Sequence, residues 1–376
     1  MKYIGFYDTL KNRRSMSLAA VNKMNYICSA LNKNGKKVDI IACGMIAQEK
    51  IEKGTEKISD KTLVHFFKTM KRNEIKAFRI IQLILQNYVL LKYLITHTKR
   101  KEKVLVYHSL GLMRVVYWAK KIKHFQLFLE VEEVYNDVQL QSKASSKMEM
   151  KFFDSADGYI FPTQLLNKKF NETNKPSVII HGTYNVEHDR RVSFGDNKIH
   201  IVYAGTFDPR KGGAAAAIAA AEYLSENYHV HIIGFGSDKD VEHIRKVIDE
   251  TNSKSKASVT YDGLLSGEDY IQFLQKCKIG LSTQDPNADF NETSFPSKIL
   301  SYMANGLRVV TVRIPAIEES AISQDVYYYD RQTPTAIAEA IMKIDFNDGY
   351  DGRKRIKELD KSFRMQLKNL LEKTTK

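Results

Sequence analysis

Residues 291–310, NETSFPSKILSYMANGLRVV, run from a polar loop through Phe295-Pro296-Ser297 into an apolar helical stretch. That stretch stops at Gly306 and continues as the strand RVVTV. Proline is tolerated in the first turn of a helix, and serine suits the N-cap or first turn, so a helix is expected to begin at Ser297. Ile299, Leu300 and Met303 then share a buried side, and Gly306 closes the helix. Such a helix start presents N–H groups and a positive dipole end. With Lys298 beside them, they suit a phosphate oxyanion.

Working outward, the same alternation of helix and short apolar strand runs the length of the chain. The first half reads KYIGFYD, KVDIIAC, TLVHFF, KVLVYHS, FQLFLEVEE, GYIFPT and SVIIHG, with 3.6-period stretches such as 17–33 and 76–98 between strands. After a polar break, NVEHDRRVSFGDNK (185–198), the pattern restarts as IHIVYAG, HVHIIGFG, SVTYDGLL, IGLSTQ, RVVTV and VYYYD. Continuous apolar strands separated by helices predict parallel sheets covered on both faces. The expected fold class is therefore α/β, with two Rossmann-like doubly wound domains facing across a cleft. The first is expected over 1–190 and the second over 191–350. A charged helix over 351–376 could cross back to the first. Ligands of such sheets bind outside the carboxyl ends of the strands.

Composition narrows the class. The 376 residues are 43% hydrophobic and 27% charged, as in a globular protein. The three cysteines, Cys28, Cys43 and Cys277, are widely spaced, which argues for a reducing, cytoplasmic compartment and against a zinc site. The apolar segment 80–95 is broken by Gln82, Gln86, Asn87 and Lys92, too short and polar for a bilayer span. The net charge of +14 is uneven: residues 1–124 hold 26 Lys/Arg against 8 Asp/Glu, and the rest hold 32 against 36. A basic first third implies an anionic partner. Nucleic acid is not expected, for no recognition helix or interleaved aromatics accompany the charge. Clustered Lys/Arg beside the apolar helix 76–98 instead fits the inner face of a plasma membrane.

Several short motifs carry chemistry. Strand IHIVYAG ends at Gly205-Thr206, followed by Arg210 and Lys211 at a loop tip and by Gly212-Gly213, an environment suited to a diphosphate. Gly234-x-Gly236 lacks the third glycine of a dinucleotide fingerprint and reads as a strand end where a nucleotide ring nears the main chain. SDKD (237–240) imitates a DxD metal motif but sits where a helix N-cap belongs, so no metal site is expected. The turn Gly263-Leu264-Leu265 could hydrogen-bond a nucleobase edge. Strand FQLFLEVEE ends in Glu130, Glu132 and Glu133, and alternation puts the first two on one face. Glu132 is the candidate to orient an acceptor hydroxyl or bear on a reacting sugar. His108 reads first as a satisfied strand-end histidine and second as an acceptor contact.

The order YAGTFDPRKGG, HIIGFG, VTYDGLL, NETSFPSKILSYMANGLRVV resembles the donor domain of GT-B glycosyltransferases, and more narrowly the retaining glycosyltransferase family 4 (glycosyl transferases group 1), over 199–345. The resemblance implies transfer of a sugar from a nucleoside diphosphate, UDP favoured, to a hydroxyl of a glycan or lipid-linked acceptor. Configuration would be retained without an essential metal or other cofactor. It implies donor contacts from Gly205, Thr206, Gly234, Gly236, Gly263, Leu264, Thr293, Phe295, Ser297, Lys298 and Ser301, with Arg210 and Lys211 on the diphosphate. Arg13, Arg14 and Ser15, by family position, would meet the acceptor. Thr293 and Ser301 stand where the family has two glutamates. That departure motivates the alternative of a catalytically silent paralogue that binds glycan or stabilises an active transferase.

Overall fold

The structure is a computed structural model that describes residues 1–10, 18–46, 53–69, 71–132, 142–208, 212–286 and 294–373. The chain forms two compact units, Met1–Thr183 with Ser362–Lys376, and Tyr184–Lys361.

The first unit is built on β1 (Lys2–Phe6), β2 (Val38–Cys43), β3 (Gly54–Ser59), β4 (Thr62–Phe66), β5 (Lys103–Tyr107), β6 (Gln126–Glu130), β7 (Gly158–Phe161) and β8 (Ser177–Ile179). They lie in the order β3-β4-β2-β1-β5-β6-β7-β8. Ile4, Ile41, Val106 and Leu129 are fully buried, because helices such as Leu18–Lys33 and Leu110–Lys123 cover the sheet. The pairing is parallel except for β3, which runs antiparallel to β4. β3 departs from the expected all-parallel sheet. Its GTEKIS residues are all exposed, so no apolar run announces it, and only backbone pairing along the edge of β4 makes it a strand. The last helix, Gly352–Lys373, belongs to this unit from Ser362 onward. There Phe363 stacks on Tyr26 at 5.7 Å, and Asn34 Nδ2 donates to the Arg364 carbonyl at 2.8 Å.

The second unit holds β9 (Ile199–Thr206), β10 (Tyr228–Phe235), β11 (Ser258–Gly263), β12 (Ile279–Ser282), β13 (Arg308–Val312) and β14 (Tyr327–Tyr329). All are parallel, in the order β11-β10-β9-β12-β13-β14. The polar break read as a linker is docked on this unit from Tyr184. Arg190 grips Glu268 with two N–H groups at 2.6 and 2.8 Å, and its backbone N–H donates to Gln275. The Glu187 N–H donates to the Ala304 carbonyl at 3.1 Å.

The helix of the opening stretch spans Lys298–Ala304. Gly306 has φ +89°; its N–H donates to Met303 O and the Leu307 N–H to Tyr302 O, both at 3.0 Å. This paired, left-handed helix ending satisfies two carbonyls that the helix leaves open. Arg353 fills the space a Cβ at Gly306 would need, its Nη2 donating to the Asn305 carbonyl at 2.7 Å. Gly306→Ala therefore combines the left-handed penalty of about 1–2 kcal/mol with a displaced guanidinium. Urea unfolding is expected to show a loss of at least that size, and unchanged stability would refute this ending.

Candidate active site

The sheet of the second unit reverses its strand order between β9 and β12. At the carboxyl ends of those two strands lies a cavity of about 410 Å³, lined by Tyr203, Gly205, Thr206, Thr283, Gln284 and the run Ser294 to Lys298. A reversal point of this kind is where open α/β sheets bind ligands.

Three packing relations shape the cavity. Gly280 on β12 has no side chain, and the Tyr302 ring occupies that place. The Tyr302 hydroxyl then accepts from the Ala204 N–H at 2.8 Å and donates to the Leu281 carbonyl at 3.3 Å, so the helix is tied to both strands. Gly234 on β10, with φ +144°, packs so closely on its in-register partner Gly205 that a Cβ would overlap the Gly205 carbonyl. Thr283 Oγ1 donates to the Gly213 carbonyl at 2.7 Å, fixing the start of the helix Gly213–Ala219 beside the cavity.

Lys298 supplies a cation on the cavity wall. Its Nζ lies 4.2 Å from the centroid of the Tyr203 ring and against Gly205. Burial pushes the Tyr203 phenol up to about 12, so it stays protonated, and it donates to the Thr206 carbonyl at 3.3 Å. Gly205, Thr206, Phe295, Ser297 and Lys298, all expected donor residues, are thus brought together. Sequence reading missed Tyr203, Thr283 and Gln284. Tyr203 lies one residue before the YAG glycine's neighbour in an apolar strand, where nothing marks it as other than core.

Other expected residues lie elsewhere. Gly234 and Gly236 serve packing: a Cβ at Gly236 would crowd Asp240 and Phe207. Ser237 and Asp240 cap the helix Asp238–Asn252 reciprocally, so SDKD is a capping box. Ser297 occupies the N-cap position of its helix without a side-chain cap bond. The Ser301 hydroxyl is turned to the Tyr270 hydroxyl, 3.4 Å away, rather than into the cavity. Gly263 ends β11 with φ +84°, and Leu264 after it is 64% exposed. Arg13, Arg14, Ser15, Glu133, Arg210, Lys211 and Thr293 lie outside the described residues.

In the first unit, His108 is a correction to the acceptor reading. Its side chain is fully buried, with Nε2 2.8 Å from Glu149 Oε1 and the ring packed on Phe152 and Phe153, so no acceptor reaches it. Glu130 is fully buried at the end of β6 and accepts from the Tyr3 hydroxyl. Burial first, and then the Glu132 charge, push its carboxyl well above the usual carboxylate range. Glu132, one-third exposed, is paired with the buried Lys23, which also donates to the Ile180 carbonyl at 3.4 Å. Glu132→Ala leaves that ammonium without its anion and is expected to destabilise the protein by about 1–3 kcal/mol in urea unfolding. Glu132→Gln keeps a hydrogen bond and should recover part of it, an outcome a purely catalytic role would not produce.

At the opposite end of the second sheet His200, His229 and His231 bring three ring nitrogens within 4.8 Å of one another. His200 Nδ1 is 2.9 Å from His231 Nε2. Their outer nitrogens meet Asp196 at 2.7 Å and Asp262 at 3.0 Å. The His229 and His231 rings stack at 4.1 Å and 21°, which sets their lone pairs side by side instead of on one point. As arranged, the group is a hydrogen-bonded chain and not a converging ligand set. Burial, then the His231 and His200 charges, pull His229 down to about 4, and burial lowers His200 as well. A histidine depressed in the fold favours its neutral form, so this contribution to stability is full above about pH 6.5. It is lost as pH falls toward 4. Glu130, raised in the fold, titrates in the opposite sense but is common to both proteins, so the urea midpoint should fall less across that window in His229→Gln than in the wild type, and superimposable profiles would contradict it.

Residues 198–344 match the family model described as Glycosyl transferases group 1. No curated protein sequence matches the chain. Among solved structures, the sucrose-phosphate synthase of Thermosynechococcus elongatus aligns at 13% identity and TM-score 0.65, covering 99% of this chain and 98% of that one. An α,α-trehalose-phosphate synthase (UDP-forming) from Burkholderia xenovorans, in complex with glucose-6-phosphate, aligns at 9% identity and 0.62, with all of both chains covered. The lipopolysaccharide outer core galactosyltransferase WaaB aligns at 14% identity and 0.62, with 99% of each covered. At these identities the likeness establishes the fold, and that fold is GT-B.

Proposed function

Since the second unit matches the glycosyl transferases group 1 family over 198–344, we propose that this protein transfers a sugar from a nucleoside diphosphate to the hydroxyl of a glycan or lipid-linked acceptor. The observation that carries the reading is the cavity at the β9/β12 reversal, with Thr206 and Lys298 on its wall. A diphosphate leaving group develops negative charge as the glycosidic bond breaks, and fixed cations and N–H groups stabilise that charge without reorganising. Lys298 supplies one such cation, and Arg210 and Lys211 follow β9 in sequence. With these cations the reaction is proposed to proceed without an essential metal, and retention is proposed from the resemblance to glycosyltransferase family 4 alone. UDP is the favoured nucleotide; the Burkholderia synthase of the same fold is described as UDP-forming.

The position of Ser301 supports a second reading. A neutral hydroxyl turned to Tyr270 offers a donor ribose less than a carboxylate would. On that reading the chain is a silent paralogue that binds nucleotide or glycan without turnover.

Binding and turnover separate the two. UDP, added in parallel with GDP, is expected to raise the melting temperature, and Lys298→Met to weaken that response at least tenfold in apparent Kd while leaving the nucleotide-free melting point in place. Slow hydrolysis of a UDP-sugar that persists in EDTA supports an active, metal-independent transferase. Binding without hydrolysis supports the silent paralogue, and no response to either nucleotide removes both.

A further inference from the structure

The helix Lys76–His97 turns a broad apolar face outward over its first three turns. Gln82 faces the body of the first unit, where its Oε1 accepts from the Asn73 N–H at 3.0 Å and its Nε2 donates to the Lys71 carbonyl at 2.9 Å. Phe78, Ile81, Ile84 and Tyr88 point the other way and are 51–62% exposed. Within the helix only Leu90 and Leu94 are buried, and both enter the core of the unit. By length and composition alone the full helix, longer than the 80–95 segment read as too short and polar, is apolar enough to cross a membrane, which corrects that reading. Its inward glutamine and its two core leucines, however, hold it along the protein, so its apolar face lies in a plane with the surface. A contiguous outward apolar face of this kind marks an interaction surface. The charges around it choose the partner: Lys68, Lys71, Arg72, Lys76 and Arg79 stand at this end of the helix against Glu74 alone. That complements an anionic lipid surface.

Behind the same helix is a cavity of about 360 Å³, of the size that takes a small ligand. Its wall is mostly carbon, from Phe6, Cys43, Phe67, Leu83, Val89 and Leu112, with Lys68 and Gln86 among the few polar groups. Phe6 and Cys43 end β1 and β2, and Leu112 opens the helix after β5. The cavity therefore sits by the β1/β5 reversal of strand order, the first sheet's own ligand position. A mostly apolar chamber there, opening beside an apolar helix face, suits a hydrocarbon chain.

We propose that this cavity holds the hydrocarbon chain of a lipid-linked acceptor, delivered from an anionic bilayer on which the outward face of helix Lys76–His97 rests. The proposal rests on the transferase reading for the word acceptor; the chain site and the bilayer contact stand on the first unit alone.

The probes are cis-parinaric acid, whose fluorescence rises when its 18-carbon chain enters an apolar site, and vesicles of phosphatidylcholine with or without phosphatidylglycerol. Wild-type protein is expected to bind the fatty acid and to float with the phosphatidylglycerol vesicles only. Val89→Trp, or Leu83→Trp should the first disturb folding, fills the chamber and should weaken parinaric acid binding at least tenfold while flotation persists. Ile81→Ser/Ile84→Ser should abolish flotation while parinaric acid binding persists. Unchanged fatty-acid binding in both tryptophan variants overturns the chain site. Absence of flotation, or a wild-type dimer in light scattering that Ile81→Ser/Ile84→Ser dissociates, overturns the bilayer. The UDP melting shift is read in every variant. Its absence throughout would count against the transferase and its presence beside failed lipid binding against this proposal.

Discussion

The second unit depends on how closely β9 is approached near its carboxyl end. Gly205 lies under Gly234 with no room for a Cβ, and the Ala204 N–H is claimed by the Tyr302 hydroxyl, whose ring fills the place beside Gly280. Three glycines and one tyrosine thus bring three strands and the helix Lys298–Ala304 together. The cavity, the cation at Lys298 and the fixed start of the helix Gly213–Ala219 all follow from that junction. Since interiors are packed at crystal density, such a junction tolerates little change of volume.

The two units use one architecture for different ends. Each has a parallel sheet whose strand order reverses beside β9 or β1, and each has a cavity at that reversal. In the second unit the wall carries Lys298, Thr283, Gln284 and several backbone groups, an arrangement that suits a charged, hydrogen-bonding ligand. In the first unit the wall is mostly carbon, with Lys68 among a few polar groups. The contrast in lining is a statement about ligand chemistry that the shared topology could not make by itself.

Polar and ionisable groups in the interior are handled by pairing. Glu130 is held with Tyr3, Glu132 with Lys23, His108 with Glu149, and His200 and His231 between Asp196 and Asp262. Each would be costly alone, since a buried polar group left without a hydrogen-bond partner costs more than most single contacts return. His108 shows how this misleads a reader of sequence. A histidine at a strand's carboxyl end has the right address for an acceptor contact, and only the side chain of Glu149, 41 residues on, reveals that it is turned inward.

The sequence by itself determined the apolar strands, because fully buried parallel strands must be continuously apolar and the turns between them polar. The helix after Phe295-Pro296-Ser297, its stop at Gly306 and the Ser237 cap were legible for the same local reason: caps and left-handed endings need particular residues at particular places. The exposed β3, which has no apolar pattern, was not legible, nor was the docking of the 185–198 segment through Arg190. Which way a side chain faces was decided only in three dimensions. Ser301 turned to Tyr270, Gly234 proved a packing residue, and the helix Lys76–His97 put its glutamine inward and its isoleucines outward. Periodicity records that a helix has two faces; contacts from residues distant in the chain settle which of them meets the core.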